Sequence, residues 1–383
     1  MKKALLFFSL LVLLPACMRA QQLSTDKIVI SDLATDDWGV YFTVGLEGSR
    51  LYTALNMDIT MPEGISVAYY KGNPDVSMYK KSGSIFPYDE DNRDGNKTWK
   101  HSVECTYGVV APRMLRIACY SGSLANFKDT SGTLFIIYVE VDDKQLAASF
   151  CPKPIVTVSG IALVESDNTK HVPADFTCRP FASVIPAERT LPLNISGENQ
   201  IGTLILPFGV DALPQGVKAY AGSTIDEAAS ELLLTPVTKL DACTPYIVYA
   251  PNGYEGTLTG TVDMMAEYPA TDVYSQGFLT GVLSTTVVND GYIMQNQEKG
   301  DGPMFYNAEG SSFALPAGRC YLTLPTSFAA KAVRMRIEGT TGFDNIEIIN
   351  HDSQILYDLS GRRVENPTSG GIYISNGKKI VVK

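Results

Sequence analysis

Short runs of β-branched and aromatic residues make up most of the chain, and turn-forming clusters separate them. Residues 40–44 (VYFTV), 134–141 (LFIIYVEV) and 246–249 (YIVY) are typical runs. Clusters such as Pro251-Asn252-Gly253 lie between the runs and favour turns. Helical periodicity is almost absent, and residues 225–234 fit either one short helical turn or a hairpin. The pattern predicts an all-β protein with two antiparallel β-sandwich or barrel-like domains and a small C-terminal β-hairpin tail.

The chain is acidic. Its 383 residues include 31 Lys and Arg against 41 Asp and Glu, which gives a formal net charge of −10. A surface of this sign repels nucleic-acid phosphates and anionic lipid headgroups, so we expect no nucleic-acid partner. The 45% hydrophobic share is enough for real cores, and 32 Gly with 21 Pro is close to ordinary usage. Neither a disordered nor a collagen-like chain is therefore expected.

Residues 1–20 have the organisation of a secretory signal peptide. Lys2 and Lys3 precede an apolar run, residues 4–14, that is too short to span a bilayer. We therefore expect an exported protein at the extracellular or outer-membrane surface, with the periplasm as the alternative. No later apolar stretch is longer than a strand, so no transmembrane span is expected.

The mature N-terminus has two candidate positions. Cleavage after Ala20 would release a soluble protein. Residues 14–17 (LPAC) instead resemble a bacterial lipobox, in which Cys17 would be acylated and would anchor the protein to lipid. The sequence leaves both possibilities open.

Six cysteines remain after the signal region, an even number that suits an oxidising compartment. Two of them flank a turn at Pro112 and would be opposite each other on antiparallel strands, within disulfide range. Two more flank the turn at residues 166–169, and the last two are left for each other. The alternative is six buried thiols. The candidate disulfides are Cys105 with Cys119, Cys151 with Cys178, and Cys243 with Cys320.

Two composition changes mark domain boundaries, one near residues 185–189 and one near residues 339–342. The expected organisation is a signal peptide (1–20), a first β-sandwich (21–185), a second sandwich-like module (186–340) and a C-terminal tail (341–383).

Three stretches of the first domain carry a family resemblance. Residues 54–64 (ALNMDITMPEG), 115–121 (LRIACYS) and 132–135 (GTLF) resemble the cohesin-like β-sandwich found in exported Bacteroidetes proteins. Such sandwiches are akin to carbohydrate-binding modules and to cohesins, which bind dockerins through one sheet face. The resemblance implies a binding domain without catalytic residues.

The rest of the chain carries two further resemblances. Residues 202–208 (GTLILPF) and 315–322 (LPAGRCYL) are similar to a β-module of surface proteins from the same bacteria. Residues 355–364 (ILYDLSGRRV) and 371–379 (GIYISNGKK) resemble a C-terminal secretion-sorting domain. Physically this tail reads as two short hairpins with basic residues at their edges.

The sequence lacks the common catalytic and metal-binding motifs. The three histidines lie far apart, and neither an HExxH metal motif, a GxSxG nucleophile elbow nor a phosphate-binding glycine loop occurs. We therefore expect no enzymatic activity, no cofactor and no metal site.

Aromatic residues near the acidic segment at residues 89–96 are the candidate ligand contacts, because sugar rings stack on exposed aromatic faces. Packing of these rings in the core or at strand edges is the alternative. The candidates are Tyr69, Tyr70, Tyr79, Tyr88, Trp99 and Tyr107.

Together these observations favour a non-enzymatic exported binding protein whose first domain recognises a glycan or a protein partner. A structural subunit of a surface appendage or matrix, joined by edge-strand addition, is the alternative. A polysaccharide hydrolase is a third and weaker hypothesis.

Overall fold

The computed structural model describes residues 25–78, 85–90, 97–269, 271–296, 303–308, 312–325, 328 and 330–337, and tail strands at 356–357, 363–364, 372–375 and 378–381. These residues form two compact units. The first unit runs to Ala187 and also includes Asp263–Glu267. The second comprises Glu188–Val262 and the described residues from Tyr268 onward.

The described part of the first unit consists of short strands and one helix. The strands are β1 (Lys27–Ile30), β2 (Ala34–Asp36), β3 (Gly39–Glu47), β4 (Ala54–Thr60), β5 (Ile65–Val67), β6 (Tyr69–Tyr70), β7 (Asn73–Pro74), β8 (Val76–Met78), β9 (Tyr88–Glu90), β10 (Lys97–Trp99), β11 (Ser102–Tyr107), β12 (Met114–Tyr120), β13 (Gly132–Val141), β14 (Val156–Val164), β15 (Lys170–His171) and β16 (Phe176–Cys178). The helix α1 (Asp143–Ala148) lies between β13 and β14, and Asp142 caps its N-terminus by accepting hydrogen bonds from the next turn.

Two main sheets organise this unit. Sheet A has the order β1-β3-β13-β5, with β2 also on β3 and β8 also on β13. Sheet B has the order β11-β12-β4-β14-β15, with β16 also on β14. Two small hairpins, β6–β7 and β9–β10, accompany them.

Each main sheet buries one face, because successive side chains of a strand point to opposite sides. In β4, Leu55, Met57 and Ile59 are buried while the residues between them are half-buried or exposed. In sheet A, Phe42 and Ile137 are fully buried and lie opposite each other in the β3–β13 register. The core of the unit is built from these inward-facing side chains.

The second unit is also made of strands. They are β17 (Glu188–Ile195), β18 (Ile201–Leu204), β19 (Lys218–Asp226), β20 (Glu231–Val237), β21 (Tyr246–Tyr249), β22 (Tyr254–Thr261), β23 (Val273–Gln276), β24 (Leu279–Val282), β25 (Thr286–Val288), β26 (Tyr292–Gln295), β27 (Met304–Asn307), β28 (Phe313–Leu315), β29 (Arg319–Leu322) and β30 (Ala332–Ile337). The largest sheet has the order β18-β21-β19-β20-β30-β27-β26-β29-β24-β23. Its core includes Leu232, Ile247, Leu279 and Phe305, all fully buried.

One strand pair of this sheet differs from the prediction. The pairing of β20 with β30 is parallel, with Glu231 opposite Arg334, and is an exception in a sheet whose other strand pairs are antiparallel as expected. The two strands are far apart in sequence, and a long connection allows parallel pairing where a hairpin does not.

The described part of the tail contains β31 (Leu356–Tyr357), β32 (Arg363–Val364), β33 (Ile372–Ser375) and β34 (Lys378–Val381), in the sheet order β32-β31-β33-β34. The proposed turn residues at 361 and 376–377 lie outside the described residues.

The all-β fold class is confirmed, with curled sheets in both units and α1 as the one helix among the described residues. Among the described residues, no helix has the length and apolarity needed to cross a membrane.

Candidate functional site

The outward-pointing side of sheet B is the candidate site. Its side chains are half-buried or exposed, and most are short and polar. We call this surface the outer face. Its members are Asn56, Asp58, Thr60, Glu104, Thr106, Arg116, Ala118, Tyr120, Thr157 and Ser159.

Strand register places these side chains in rows across the sheet. One row joins Thr106 to Arg116, then to Asp58 and Ser159. A neighbouring row joins Glu104, Ala118 and Asn56. The opposite faces of the same strands form the close-packed core, which holds the backbone under these side chains rigid.

An ion pair occupies the centre of the outer face. Arg116 Nε and Nη2 each donate to an Asp58 carboxylate oxygen, both at 2.7 Å. This bidentate geometry is the strong form of an Arg–carboxylate contact. The hydrogen bonds that Arg116 donates to Asp58, more than the charge of Asp58, raise the pKa of Arg116 above its ordinary value. The pair is therefore fixed and charge-neutral.

A second polar pair lies beside it. The Tyr120 hydroxyl donates to Glu104 Oε1 at 2.9 Å, across the β11–β12 ladder. This hydrogen bond and the charge of Glu104 raise the pKa of Tyr120. Tyr120 is 43% exposed, so the aromatic ring is available to a partner while its hydroxyl is held in place.

Such a surface is suited to binding a macromolecule and offers little to a bond-breaking reaction. Surfaces with hydrogen-bonding groups around an aromatic or arginine anchor are typical of protein interfaces. Stacking of a sugar chain calls for several aligned rings, whereas the outer face carries one, Tyr120.

Of the aromatic residues named from the sequence, Tyr107 lies on β11 but is not part of the outer face, and the other described ones lie on the two small hairpins. Tyr69 and Tyr107 contact each other edge to face at 6.3 Å between ring centroids. Tyr88 and Trp99 contact each other at 5.3 Å across the β9–β10 hairpin. Tyr79 lies outside the described residues. The structure thus forms two pairs from this set, and their role in ligand stacking stays a prediction.

The two pairs differ in exposure. Trp99 contacts the fully buried Phe86 at 6.4 Å, and the Lys128 ammonium lies 4.0 Å from the centroid of the Tyr88 ring. Both rings of that pair are half-buried and pack against these neighbours. Tyr69 is 50% exposed and its neighbour Tyr70 is 55% exposed, which leaves these two most available to a ligand.

The predicted cysteine pairings are not formed. No disulfide joins the cysteines of the described residues, which are Cys105, Cys119, Cys151, Cys178, Cys243 and Cys320. Cys17 lies outside the described residues.

Strand register explains two of these corrections. Cys105 is opposite Ile117 and Cys119 is opposite Val103, so the two thiols are diagonal neighbours. Diagonal positions are about 7–8 Å apart, beyond the usual disulfide span. Cys178 is opposite Val156, five residues beyond Cys151 along the chain. Assuming symmetry about each turn misplaced both pairs. The pairing of Cys243 with Cys320 rested only on elimination.

Sequence reasoning missed the outer face itself. The available signal was the alternation of apolar residues with Asn56, Asp58 and Thr60 in one strand and with Arg116 and Ala118 in another. Opposite charges at outward positions of two strands would have suggested a cross-strand pair.

Comparisons with known proteins identify distant structural likenesses. A non-cellulosomal cohesin from the hyperthermophilic archaeon Archaeoglobus fulgidus matches with 13% identity and a TM-score of 0.23, over 41% of this chain and 81% of the other. A cohesin module of a family 33 glycoside hydrolase from Clostridium perfringens matches with 9% identity and a TM-score of 0.26, over 41% and 95%.

A third match is longer. A type II cohesin dyad from an adaptor scaffoldin of Acetivibrio cellulolyticus covers 80% of this chain and 97% of its own length, with 11% identity and a TM-score of 0.23. No protein-family model matches the sequence, and no curated protein matches it. The chain has a distant structural similarity to cohesin modules.

Proposed function

We propose that this chain is an exported, non-catalytic binding protein whose first unit takes a protein partner on the outer face. The observation that carries the proposal is the central Arg116–Asp58 pair, held by two hydrogen bonds of 2.7 Å among short side chains. A partner can approach such a surface closely, because few long side chains must be displaced or immobilised.

The composition of the outer face favours a protein over a glycan. Tyr120 supplies one amphipathic ring, and Asn56, opposite Ala118, supplies a hydrogen-bonding group near it, while Thr60 supplies another at the far end of β4. Protein interfaces use such isolated aromatic anchors surrounded by polar contacts. Neither of the two aromatic pairs that could stack on a sugar belongs to the outer face.

The location of the protein is part of the proposal. Residues 1–20 support export to the extracellular or outer-membrane surface, or to the periplasm, and the likeness of residues 355–379 to a sorting domain supports passage to the surface. Mass spectrometry of the mature N-terminus separates the alternatives. A lipid-modified Cys17 means an anchored protein, a terminus at Gln21 means a soluble one, and an intact Met1 contradicts export.

Site-specific photo-crosslinking tests the binding face. A photoreactive amino acid replaces Ala118 on the outer face, and in a matched control it replaces Thr43, an outward position of β3 in sheet A. Each full-length protein is exposed to surface extract of its native host and illuminated. We expect a discrete crosslinked protein from position 118 that is absent from position 43. Equal products from both positions, or none from either, would contradict the proposal.

A further inference from the structure

The hairpin joining β2 to β3 carries an unusually exposed tryptophan. Asp36 pairs with Gly39, so Asp37 and Trp38 form a two-residue turn. The Trp38 side chain is 76% exposed, although large aromatic side chains are usually mostly buried. Its backbone is fixed, because the Trp38 N–H donates to Asp36 Oδ1 at 2.9 Å.

The carboxylate of Asp36 is held from its other side as well. Tyr138 donates its hydroxyl to Asp36 Oδ2 at 2.9 Å. Tyr138 is only 8% exposed and its ring lies 5.5 Å from that of Tyr41. A buried, packed tyrosine therefore fixes the Asp36 carboxylate, whose other oxygen holds the Trp38 backbone. Open space extends over Gly39, where an added Cβ would meet no atom within 4 Å.

The chain segment that forms this hairpin is acidic. Residues 28–49 contain no Lys, Arg or His, and Asp36 and Asp37 are adjacent at the turn. Burial first, then the hydrogen bond to Asp36 and the charges of Asp36 and Asp75, raise the pKa of Tyr138 to about 12. A second carboxylate, Asp75, is thus close enough to act on the same hydroxyl. Anions are repelled here and cations are attracted.

We infer that the tip of the β2–β3 hairpin binds an organic cation, with the Asp36 carboxylate supplying the charge and the Trp38 ring supplying the contact face. Tyr138 is the positioning residue, since it acts through Asp36. Tryptophan is the best aromatic partner for a cation, and a carboxylate beside it strengthens the attraction. The site belongs to sheet A and stands independently of the proposed partner face on sheet B.

The hydrogen bonds that the Asp36 carboxylate already accepts determine which class of cation it can bind best. Each of its oxygens already accepts one hydrogen bond, from the Trp38 N–H and from the Tyr138 hydroxyl. A guanidinium group gains most when it can donate two parallel hydrogen bonds to a carboxylate. A quaternary ammonium group has no N–H donors and needs only negative charge and an aromatic face. The ligand class is therefore a quaternary ammonium compound.

Choline and its uncharged carbon isostere, 3,3-dimethylbutan-1-ol, provide a direct test. The chain has two tryptophans, Trp38 and Trp99, so Trp99→Phe leaves Trp38 as the fluorescence reporter. At constant ionic strength, choline is expected to change this fluorescence saturably and the alcohol is expected to have no effect. If Trp99→Phe does not fold, saturation-transfer NMR of the choline methyl groups on the unaltered full chain gives the same comparison.

Variants identify the groups responsible. Asp36→Asn is expected to weaken choline binding about tenfold or more, because the charge contributes most of the attraction. Glu104→Gln, which alters a tyrosine-bound carboxylate on sheet B, is the control and should leave choline binding unchanged. Tyr138→Phe should move the pH midpoint of binding upward, because the lost hydrogen bond raises the pKa of a carboxyl group.

Several results would overturn the inference. Equal responses to choline and the alcohol would indicate an apolar contact. Saturable binding of methyl glucoside without choline binding would indicate a glycan site. Tighter binding of arginine amide than of choline would overturn the assignment to a quaternary ammonium group, and equal loss in Asp36→Asn and Glu104→Gln would place the site elsewhere.

Discussion

Gly64 lies directly against Leu146 in the first unit. A Cβ on Gly64 would come within 2.5 Å of Leu146 Cγ and 3.3 Å of its backbone nitrogen, and the φ angle of Gly64 is +75°. Leu146 is the buried residue of helix α1. The turn that ends the run at residues 54–64 is therefore also the surface against which the helix packs. Only glycine meets both requirements at this position.

Gly64→Ala is therefore expected to destabilise the first unit by about 2–4 kcal/mol, from backbone strain and overpacking together. Gly72 is the matched control. Its φ is +82° but no atom lies within 4 Å of an added Cβ, so Gly72→Ala should cost only about 1 kcal/mol. Urea denaturation followed by tryptophan fluorescence measures both, because both tryptophans belong to the first unit. Equal losses would mean that the contact with Leu146 contributes nothing.

The Arg116–Asp58 pair is expected to show a coupling free energy of about 1 kcal/mol in a double-mutant cycle with Arg116→Ala and Asp58→Ala. The exposed pair of Lys27 with Glu47, whose side chains are 64% and 55% exposed, is the control and should give about 0.3 kcal/mol or less. High salt should reduce both values. A coupling free energy near zero for Arg116 and Asp58 would show that this ion pair does not form a fixed centre of the outer face.

The burial of His101 predicts that the free energy of unfolding depends on pH. It is buried at 3% exposure among aromatic rings, with Phe127 at 5.0 Å, and burial lowers its pKa below the ordinary value of 6.5. The unfolded chain then binds a proton below that pH more readily than the folded one. The contribution of His101 to the free energy of unfolding is therefore fully present above pH 6.5. It is lost as the pH falls toward the lower pKa that His101 has in the folded protein.

The measurement compares wild type with His101→Phe by chemical denaturation at several pH values. The wild type should lose up to about 1.4 kcal/mol more per pH unit below pH 6.5 than the variant. Other titrating groups are shared by both proteins and cancel in the difference. Parallel curves for the two proteins would show that folding does not lower the pKa of His101.

Buried thiols make a separate prediction. Burial raises the pKa of Cys119 and of Cys320 to about 12, so neither presents a thiolate near neutral pH. Iodoacetamide at about pH 8 should modify these cysteines only after denaturation. Rapid modification in the native protein would contradict their burial. An intact mass that rises by two hydrogen atoms on reduction would reveal a disulfide.

Local sequence patterns predicted the fold class and many strands, because alternation and β-branched residues report directly on a half-buried sheet. Residues 225–234, which fitted either a helical turn or a hairpin, fall in the β19–β20 hairpin, where Asp226 accepts a hydrogen bond from the Ala229 N–H in the turn. The parallel pairing of β20 with β30 depends on packing between distant segments, and no local pattern encodes it.

Register was the main limit on predicting the site. The prediction placed Cys105 opposite Cys119, whereas the structure places it opposite Ile117, two residues away. The same kind of information places Arg116 beside Asp58 and brings Tyr138 to Asp36, which is 102 positions away in sequence. Composition could identify candidate aromatic residues, but only the tertiary structure could show which of them face solvent.

The most direct test of the central claim is the affinity of the partner crosslinked through position 118 for Ala118→Arg and Thr43→Arg, measured by calorimetry with the purified full-length proteins. Both variants add the same long cationic side chain to an outward strand position, one on sheet B and one on sheet A. Binding on the outer face predicts a loss of about 100-fold or more for Ala118→Arg and an affinity within about twofold of wild type for Thr43→Arg. Unchanged affinity in Ala118→Arg, or equal losses in both variants, would contradict it.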